Sequence, residues 1–206
     1  MMERDIELQR QIVLATSNPA KLNLYSRAFA PFGLSAIAAA QAGIELDVDE
    51  NAKTPEANAL KKAMAAWSPG LLIFADDAGM EVDALQGEPG VQTRRWNGKF
   101  TDEVSDEEWL AYLLQRLDGV SPAERTAKFV TGWALIGPDG ERAVKRVITP
   151  FLIAEAPIFP MQAGWPMSAV QIRLPQAEQN VELLVQRELH NWPFFQQMVT
   201  MVRRMG

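Results

Sequence analysis

Short apolar runs alternate with amphipathic segments along most of the chain, which predicts strands interleaved with helices. The predicted strands cover residues 11–16, 34–40, 71–75, 128–136 and 142–153, with a hairpin turn at 138–140. Helices are predicted to begin behind the caps Asn18, Thr54 and Ser105, and a helical stretch over 178–204 is interrupted near Pro193. The pattern indicates an α/β fold, and residues 1–206 suit a single domain with two lobes.

Two adjacent carboxylates follow the central apolar run. Leu71–Ala75 leads directly into Asp76 and Asp77, and an alternating run with Met80 and Val82 comes next. We expect the buried strand to stop at the acids, with their side chains pointing to different faces while the backbone stays extended. One carboxylate then suits a metal and the other a water or an orienting donor. A capped turn explains the pair equally well, because Asp is common in turns.

The first strand leads into a turn and a helix that begins at Asn18 and Pro19, a preferred N-cap and a preferred first helical residue. The start of a helix offers free backbone N–H groups and a partial positive charge, which suit a phosphate. Lys21 lies in the first turn, where a cation opposes the helix dipole unless an anion is present. An ordinary strand–helix turn with a solvated lysine is the alternative.

Three further segments carry candidate chemistry. Residues 45–50 alternate acids with aliphatics, which predicts an extended segment with a carboxylate face, and such a face is usually only solvated. Asn58 and Lys62 share one face of the helix after Thr54. Arg94 and Arg95 precede a tryptophan, and their guanidinium groups suit either a phosphate or a neighbouring acid.

Composition excludes several classes of site. The net charge is −6, so duplex nucleic acid is not an expected partner, although a divalent cation can bridge an acidic protein to a polyphosphate. The chain has no cysteine and a single histidine, His190, which excludes disulfides and sites rich in Cys or His. The start of the chain lacks a signal-peptide pattern and no apolar run reaches membrane-spanning length. We therefore expect a cytoplasmic protein.

Four stretches, in order and at matching spacing, resemble the inosine triphosphate pyrophosphatase family. They are Leu14-Ala15-Thr16-Ser17-Asn18-Pro19-Ala20-Lys21, Asn58-Ala59-Leu60-Lys61-Lys62-Ala63, the segment from Ala75 to Leu85, and the segment from Gly87 to Trp96. Each motif is weak by itself, but four in register are specific. The resemblance implies an elongated central mixed sheet flanked by helices, two lobes around a cleft, a homodimer, and hydrolysis of a nucleoside triphosphate to the monophosphate and pyrophosphate.

The resemblance also implies roles for individual residues. Ser17, Asn18 and Lys21 would cradle the triphosphate with help from Lys62. Independently of the resemblance, the guanidinium group of Arg95 makes it a further candidate substrate contact. Asp49 and Glu50 would bind Mg²⁺ together with Asp77, which would also act as the general base with Asp76 beside it. Mg²⁺ binds through a few carboxylates and phosphate oxygens, and attack at phosphorus needs charge neutralisation, so the roles are chemically coherent.

The last third of the chain departs from the family pattern. A segment that packs on the purine aligns with Gly164-Trp165-Pro166-Met167-Ser168-Ala169 but lacks the family's Tyr and Asp. Of a base-reading Ser-His-Arg triplet only Arg187 remains, and the position of a further Lys falls on Val181. We expect altered base specificity, with Trp165 or Trp192 stacking on the base unless they belong to the core. A silent nucleotide-binding or interaction module is the alternative. Membership of the related septum-inhibitor pyrophosphatase family is a weaker alternative, because the Ser-x-Ser-x-Arg-Arg pattern of that family is missing here.

Overall fold

A mixed sheet flanked by helices forms the framework of the computed structural model, in which residues 11–174, 178 and 180–205 are described. This confirms the predicted α/β class. The strands are β1 (Gln11–Leu14), β2 (Ser35–Ala38), β3 (Ile73–Val82), β4 (Pro89–Gly90), β5 (Thr126–Ile136), β6 (Arg142–Ile153) and β7 (Gln171–Arg173). The α-helices are α1 (Pro19–Phe29), α2 (Pro55–Ala66), α3 (Asp106–Arg116), α4 (Val181–His190) and α5 (Pro193–Met205).

The strand order is β2-β1-β3-β5-β6-β7, with β4 paired to β3. β1 lies between β2 and β3 and runs parallel to both, whereas β4 is antiparallel to β3 and β7 is antiparallel to β6. Parallel neighbours need a crossover connection, and α1 and α2 lie in the two crossovers that join β1, β2 and β3 along the chain. The ends of these strands and the starts of these helices carry most of the candidate residues.

The predicted helix caps are confirmed. The side chain of Asn18 accepts hydrogen bonds from the amides of Ala20 and Lys21, that of Thr54 from Ala57, and that of Ser105 from Glu108. Two residues separate the end of α4 from Pro193, which opens α5 because proline has no amide to donate within a helix but fits its first turn.

The chain divides into two compact units. Unit 1 comprises residues 1–77, 131–147 and 178–206, and unit 2 comprises 78–130 and 148–177. In unit 2, Trp109, Leu113 and Leu117 of the α3 region pack with β-strand residues such as Val82 and Phe151 in a separate hydrophobic cluster. The candidate acids and lysines all belong to unit 1.

Two hydrophobic clusters cover opposite faces of the sheet in unit 1. On one face, residues of β1, β3 and β5 pack against aromatic and aliphatic side chains of α1, α4 and α5, including Tyr25 and Phe29. On the other face, the alternate residues of the same strands pack against three alanines of α2, Ala59, Ala63 and Ala66. We call these the aromatic face and the alanine face. The small alanine side chains let a helix approach a sheet closely.

The strand that carries the two acids does not stop at them, so the prediction of a strand end at Asp76 and Asp77 is wrong. β3 continues to Val82 and pairs with β4 at Met80 and Glu81. Gly79 permits this, because a Cβ atom there would lie 2.7 Å from the carbonyl oxygen of Gly90. Residues 87–91, whose Gly and Pro content predicts a loop, contain the two residues of β4. Gly79, which suggested that the strand ends, instead allows β3 and β4 to approach each other closely.

The segment over 156–175, whose poor periodicity gives no clear elements, contains a 3₁₀ turn at Pro166–Ala169 and β7. Its last residue, Pro175, lies outside the described part of the chain. Over the residues that are described, no helix combines the length and the apolar character that a membrane crossing requires.

Candidate active site

Strand alternation assigns the two acids to different faces of the sheet. Leu72 and Phe74 belong to the aromatic face, while Ile73 and Ala75 belong to the alanine face. Because side chains alternate along an extended strand, Asp76 continues the aromatic side and Asp77 the alanine side. Their contacts agree with this division, since Asp76 meets a residue of α1 and Asp77 meets residues of α2.

Asp76 is a buried carboxylate held by a lysine. The residue is only 6% exposed, and its Oδ2 lies 2.9 Å from Nζ of Lys21. A buried carboxylate needs such a partner, because an isolated charge is strongly disfavoured away from water. The anion expected in the first turn of α1 is therefore supplied by the chain itself.

Tyr25 lies one helical turn after Lys21 and is a buried neighbour of Asp76. Its ring centroid is 4.8 Å from that of Phe74, which precedes Asp76 by two residues on the same face of β3. Burial first, and then the charge and hydrogen bond of Asp76, raise the pKa of the Tyr25 hydroxyl well above its usual range. The hydroxyl therefore stays protonated and can act only as a donor towards the carboxylate.

Asp77 is held on both of its oxygens by residues of α2. Oδ1 lies 3.3 Å from Nζ of Lys62, and Oδ2 accepts a hydrogen bond of 3.0 Å from Nδ2 of Asn58. The same Nζ lies 2.9 Å from a carboxylate oxygen of Glu50. Lys62 thus joins two carboxylates, one from β3 and one from the segment before α2.

Burial and neighbouring charges have opposite effects on the pKa values of Asp77 and Lys62. Burial raises the pKa of Asp77, while the cation of Lys62 and the hydrogen bond from Asn58 lower it, and the net direction is upward. Burial lowers the pKa of Lys62, but the charges of Asp77 and Glu50 outweigh burial and raise it. A carboxylate with a raised pKa beside a charged lysine is a feature that recurs in active sites.

The acidic segment before α2 belongs to no helix or strand, and the burial of its side chains alternates in step with its sequence. Ile44, Leu46 and Val48 are half-buried and the acids between them are exposed. Asp49 accepts a hydrogen bond from the side chain of Asn51, and Nζ of Lys61 bonds to the Asn51 side chain at 2.5 Å and to the Asp49 carbonyl at 3.3 Å. Glu50 is therefore turned towards Asp77 through Lys62, whereas Asp49 is engaged locally.

The start of α1 differs from the expected open phosphate cradle. Pro19 has no amide hydrogen, the amides of Ala20 and Lys21 are bonded to Oδ1 of Asn18, and that of Leu22 to its carbonyl. The expectation of free N–H groups here is wrong, because the cap satisfies them. An anion at this turn would meet the side chain of Lys21 and the exposed Ser17.

The remaining predicted substrate contacts have other partners. Arg95 forms a two-pronged ion pair with Asp102, with both contacts at 2.8 Å, and Trp165 is half-buried against the hydrophobic cluster, both within unit 2. Arg187 lies on α4 in unit 1 with its side chain 56% exposed, 3.4 Å from Glu188. Trp192 is 6% exposed within the core of unit 1, which identifies it as a packing residue rather than a stacking platform.

The carboxylates can be tested for their fit to a magnesium ion. In the described part of the chain, no set of three or more Asp, Glu, His or Cys side chains gathers closely enough to hold a metal by itself. Mg²⁺ usually keeps several waters and binds through one or two carboxylates plus substrate phosphates. Glu50 and Asp77, which already meet at Lys62, fit that mode of binding. They do not form a complete protein cage.

Two residues with clear contacts to the acids were not predicted as site residues, although Asn58 was noted for sharing a helix face with Lys62. Asn58 is only 1% exposed and bonds to Asp77, and Tyr25 approaches Asp76. A polar residue at a buried position of an amphipathic helix was the available signal for Asn58, because buried amides need partners. Tyr25 gave no such signal, since an aromatic at helical spacing is usually a core residue.

A comparison with known families agrees with this arrangement. Residues 12–166 match the model of the Ham1 family. The chain belongs to the Ham1 family. The matched region contains α1, α2, β3 and all of β1 except Gln11, with both acids and both lysines, and it stops before α4 and α5. Together with the relatives below, it confirms the family recognised from the sequence.

Curated relatives carry names that refer to nucleotide chemistry. A dITP/XTP pyrophosphatase of Rhodopseudomonas palustris is 40% identical over 131 residues, which is 63% of this chain and 62% of that protein. One from Thermus thermophilus is 37% identical over 147 residues, 71% of this chain and 69% of the relative. The chain thus matches less than two thirds of the first relative's length.

Solved structures share the fold over nearly their whole length. The Ham1 protein of Staphylococcus aureus superposes with a TM-score of 0.68 at 28% identity, covering 88% of this chain and 98% of that chain. A nucleoside-triphosphatase, also named dITP/XTP pyrophosphatase, from Mycobacterium abscessus gives a TM-score of 0.66 at 29% identity, covering 89% and 99%. The sheet and its helices are therefore those of Ham1 proteins.

Proposed function

We propose that this protein hydrolyses a nucleoside triphosphate to the monophosphate and pyrophosphate with the help of Mg²⁺. The observation that carries the proposal is the pairing of two lysines from two helices with two consecutive acids of one strand, Lys21 with Asp76 and Lys62 with Asp77. Family membership and the names of the relatives support the same reaction class.

The lysine–acid pairs suit a polyanionic substrate. When the phosphates enter, Lys62 exchanges its two carboxylate partners for phosphate oxygens, which frees Glu50 and Asp77. Glu50 and Asp77, with Asp49 next to them, would hold the metal, which would supply charge neutralisation on the phosphates. Positive charge aimed at phosphate oxygens lowers the barrier, because the transition state concentrates negative charge there.

Asp77 is the proposed general base. Its carboxylate takes a proton from a water that attacks phosphorus, and the bond between the α- and β-phosphates breaks with its electrons leaving on pyrophosphate. In the metal-free protein burial raises the pKa of Asp77 above that of an ordinary carboxylate, a direction that favours proton acceptance. Asp76 stays beside it as an anchor for Lys21, which with Ser17 and Asn18 contacts the triphosphate.

Base selection is proposed to be looser than in relatives with a full set of base-reading residues. Arg187 is the sole remnant of that set, and Trp165 would supply stacking, with Arg95 as a further substrate contact. A site built to hydrogen-bond a substrate group rejects analogues by factors of about 10⁴, whereas an apolar or aromatic pocket discriminates about 10 to 200-fold. We therefore expect a preference for ITP and XTP over ATP well below a thousandfold.

The test is pyrophosphate release from a panel of ITP, XTP, dITP, dUTP and ATP at one Mg²⁺ concentration. Reactions with EDTA and with Asp77→Asn are the controls. We expect Mg²⁺-dependent release with several bases. A preference of a thousandfold or more for ITP and XTP would contradict the loose selection. No turnover by folded protein would favour a silent nucleotide-binding or interaction module on the same scaffold.

We also propose that the protein acts as a homodimer in the cytoplasm and does not bind nucleic acid polymers or membranes. The negative net charge supports the absence of a nucleic-acid role. Sedimentation at several protein concentrations tests the oligomeric state.

A further inference from the structure

Asn58 is the polar residue of α2 that lies deepest in unit 1. It is 1% exposed and neighbours the alanines that pack on the sheet. A buried carboxamide is tolerated only when its donor and its acceptor are both satisfied, since an unmade hydrogen bond costs about 1–3 kcal/mol. Both are satisfied here, by two different parts of the chain.

The two ends of the carboxamide have distinct partners. Oδ1 accepts a hydrogen bond of 2.9 Å from the amide of Ala52, and Nδ2 donates one of 3.0 Å to Oδ2 of Asp77. The orientation of the carboxamide is fixed, because a backbone N–H can only donate and a carboxylate can only accept. Asn58 therefore ties the segment that carries Glu50 to the strand that carries Asp77.

Lys62 repeats this bridge one helical turn later. Its Nζ lies 2.9 Å from Glu50 and 3.3 Å from Oδ1 of Asp77, so two residues of one face of α2 connect the same two elements. The two bridges differ in burial and in chemistry. The cation of Lys62 is the one that a phosphate can attract away, whereas the neutral, buried amide of Asn58 has no reason to leave.

We propose that Asn58 is the positioning residue of the site, holding Oδ2 of Asp77 while Oδ1 takes part in the chemistry, an inference that rests on the proposed function. When Lys62 moves onto a phosphate, the hydrogen bond to Oδ2 keeps the carboxylate plane in place and leaves Oδ1 as the oxygen open to the metal or the attacking water. The bond to Ala52 keeps Glu50 at the same distance from that oxygen.

Two substitutions separate the two hydrogen bonds. Asn58→Asp retains an oxygen for the Ala52 amide but replaces the donor to Asp77 with a second acceptor, and Asn58→Leu removes both bonds in a similar volume. Removing a partner that orients a ligand or base typically costs about 10 to 100-fold in affinity or activity. We expect kcat to fall by that factor in both variants, with KM changing less than about threefold, because Ser17 and Lys21 do not touch Asn58.

Amide hydrogen exchange provides a readout that is independent of turnover. Exchange at Ala52 should remain slow in Asn58→Asp and become fast in Asn58→Leu, and the side-chain amide of Asn58 should exchange faster in Asp77→Ala than in the wild type. Asn23→Asp, the same replacement on the exposed side of α1, is the control and should change neither kcat nor these rates.

The outcomes are distinguishable from a failure of the proposed function. A wild-type kcat in Asn58→Asp would overturn the positioning role, as would slow exchange at Ala52 in Asn58→Leu. Partial unfolding would also lower the apparent kcat at unchanged KM, because less of the enzyme is folded, and a thermal midpoint below the assay temperature would identify it. If the wild type hydrolyses no nucleotide, the proposed reaction fails, while the exchange rates in Asn58→Leu and Asp77→Ala still decide whether Asn58 holds Ala52 and Asp77.

Discussion

Asp76 and Asp77 are neighbours in sequence and belong to opposite faces of one strand. Asp76 is buried on the aromatic face, where Lys21 pairs with it and Tyr25 lies beneath it. Asp77 lies on the alanine face, where Lys62 and Asn58 hold its two oxygens and its pKa is raised. The comparison teaches that strand alternation can place two identical neighbouring side chains in different surroundings, which suits the different roles proposed for them.

The helices on the two faces reinforce this difference. Large aromatic rings exclude water from the aromatic face, so a charged side chain there needs an oppositely charged partner. The alanine face lets α2 approach β3 closely enough for side chains one turn apart to reach the same carboxylate. Substitutions on the alanine face should therefore affect mainly turnover, and those on the aromatic face should affect stability as well.

The largest effect is expected from Asp77→Asn. The substitution removes the proposed base while conserving shape, and general-base catalysis contributes about 10²–10⁴-fold. We expect kcat to fall by that factor, measured as pyrophosphate release at saturating nucleotide and Mg²⁺. Urea unfolding provides the control, because the stability of the variant should equal or exceed that of the wild type. A variant with wild-type kcat would leave Asp77 without a role in proton transfer.

The next effect is expected from Lys62→Met. A charge-assisted hydrogen bond to phosphate is worth about 1.5–3 kcal/mol, so kcat/KM should fall by roughly 10 to 150-fold. In the absence of nucleotide, the variant should bind Mg²⁺ more tightly than the wild type in a calorimetric titration, because Glu50 and Asp77 lose their internal cation. Lys145→Met removes another ion-paired lysine, the partner of Glu188, and is the matched control. Unchanged Mg²⁺ affinity would argue against shared use of these carboxylates.

On the aromatic face, Lys21→Ala should raise KM and lower kcat, since the phosphates carry more charge in the transition state. It also leaves Asp76 buried without its cation, and breaking a buried pair costs about 3–5 kcal/mol. Because the side chain of Lys21 is partly exposed, we expect a loss of about 1–3 kcal/mol in the free energy of unfolding. Wild-type kinetics and stability together would make Lys21 an ordinary surface lysine.

The smallest effect concerns pH and the metal-free protein. The pKa of Asp77 is raised on folding, so between its unfolded and folded values the native state binds more protons and stability falls as pH rises. The stability of the wild type relative to Asp77→Asn should therefore decrease from about pH 4 upward, with a slope of at most about 1.4 kcal/mol per pH unit. Chemical unfolding in EDTA measures this difference. If the stability of the wild type relative to Asp77→Asn rises with pH instead, folding lowers the pKa of Asp77.

The sequence predicted local structure where side-chain chemistry acts locally. The helix starts after Asn18, Thr54 and Ser105 were predicted correctly, and so were the bounds of the strand Arg142–Ile153. Helix caps and apolar runs are short-range signals, which a sequence shows directly. The predicted end of β3 was wrong because glycine is common in turns, so Gly79 suggested one. Gly79 instead permits a close approach to Gly90, and the sequence does not show a contact between two separate segments.

The candidate site shows the same limit. Paired acids and spaced lysines were visible in the sequence, but the partner of each acid depends on which helix covers which face of β3. The satisfied amides of α1 and the double bridge through Asn58 and Lys62 are likewise products of packing. Patterns of residues therefore marked the candidate residues, and only the fold assigned each of them its contacts.

The most direct test of the division between the two faces is the affinity for Mg²⁺ in the presence of a non-hydrolysable nucleoside triphosphate analogue, compared between Asp76→Asn and Asp77→Asn. Calorimetry on folded samples of both variants and the wild type gives the three values. We predict that Asp77→Asn weakens Mg²⁺ binding by at least about 10 to 100-fold, whereas Asp76→Asn changes it less than about threefold. An equal loss in both variants, or a larger loss in Asp76→Asn, would contradict the assignment of metal chemistry to the alanine face.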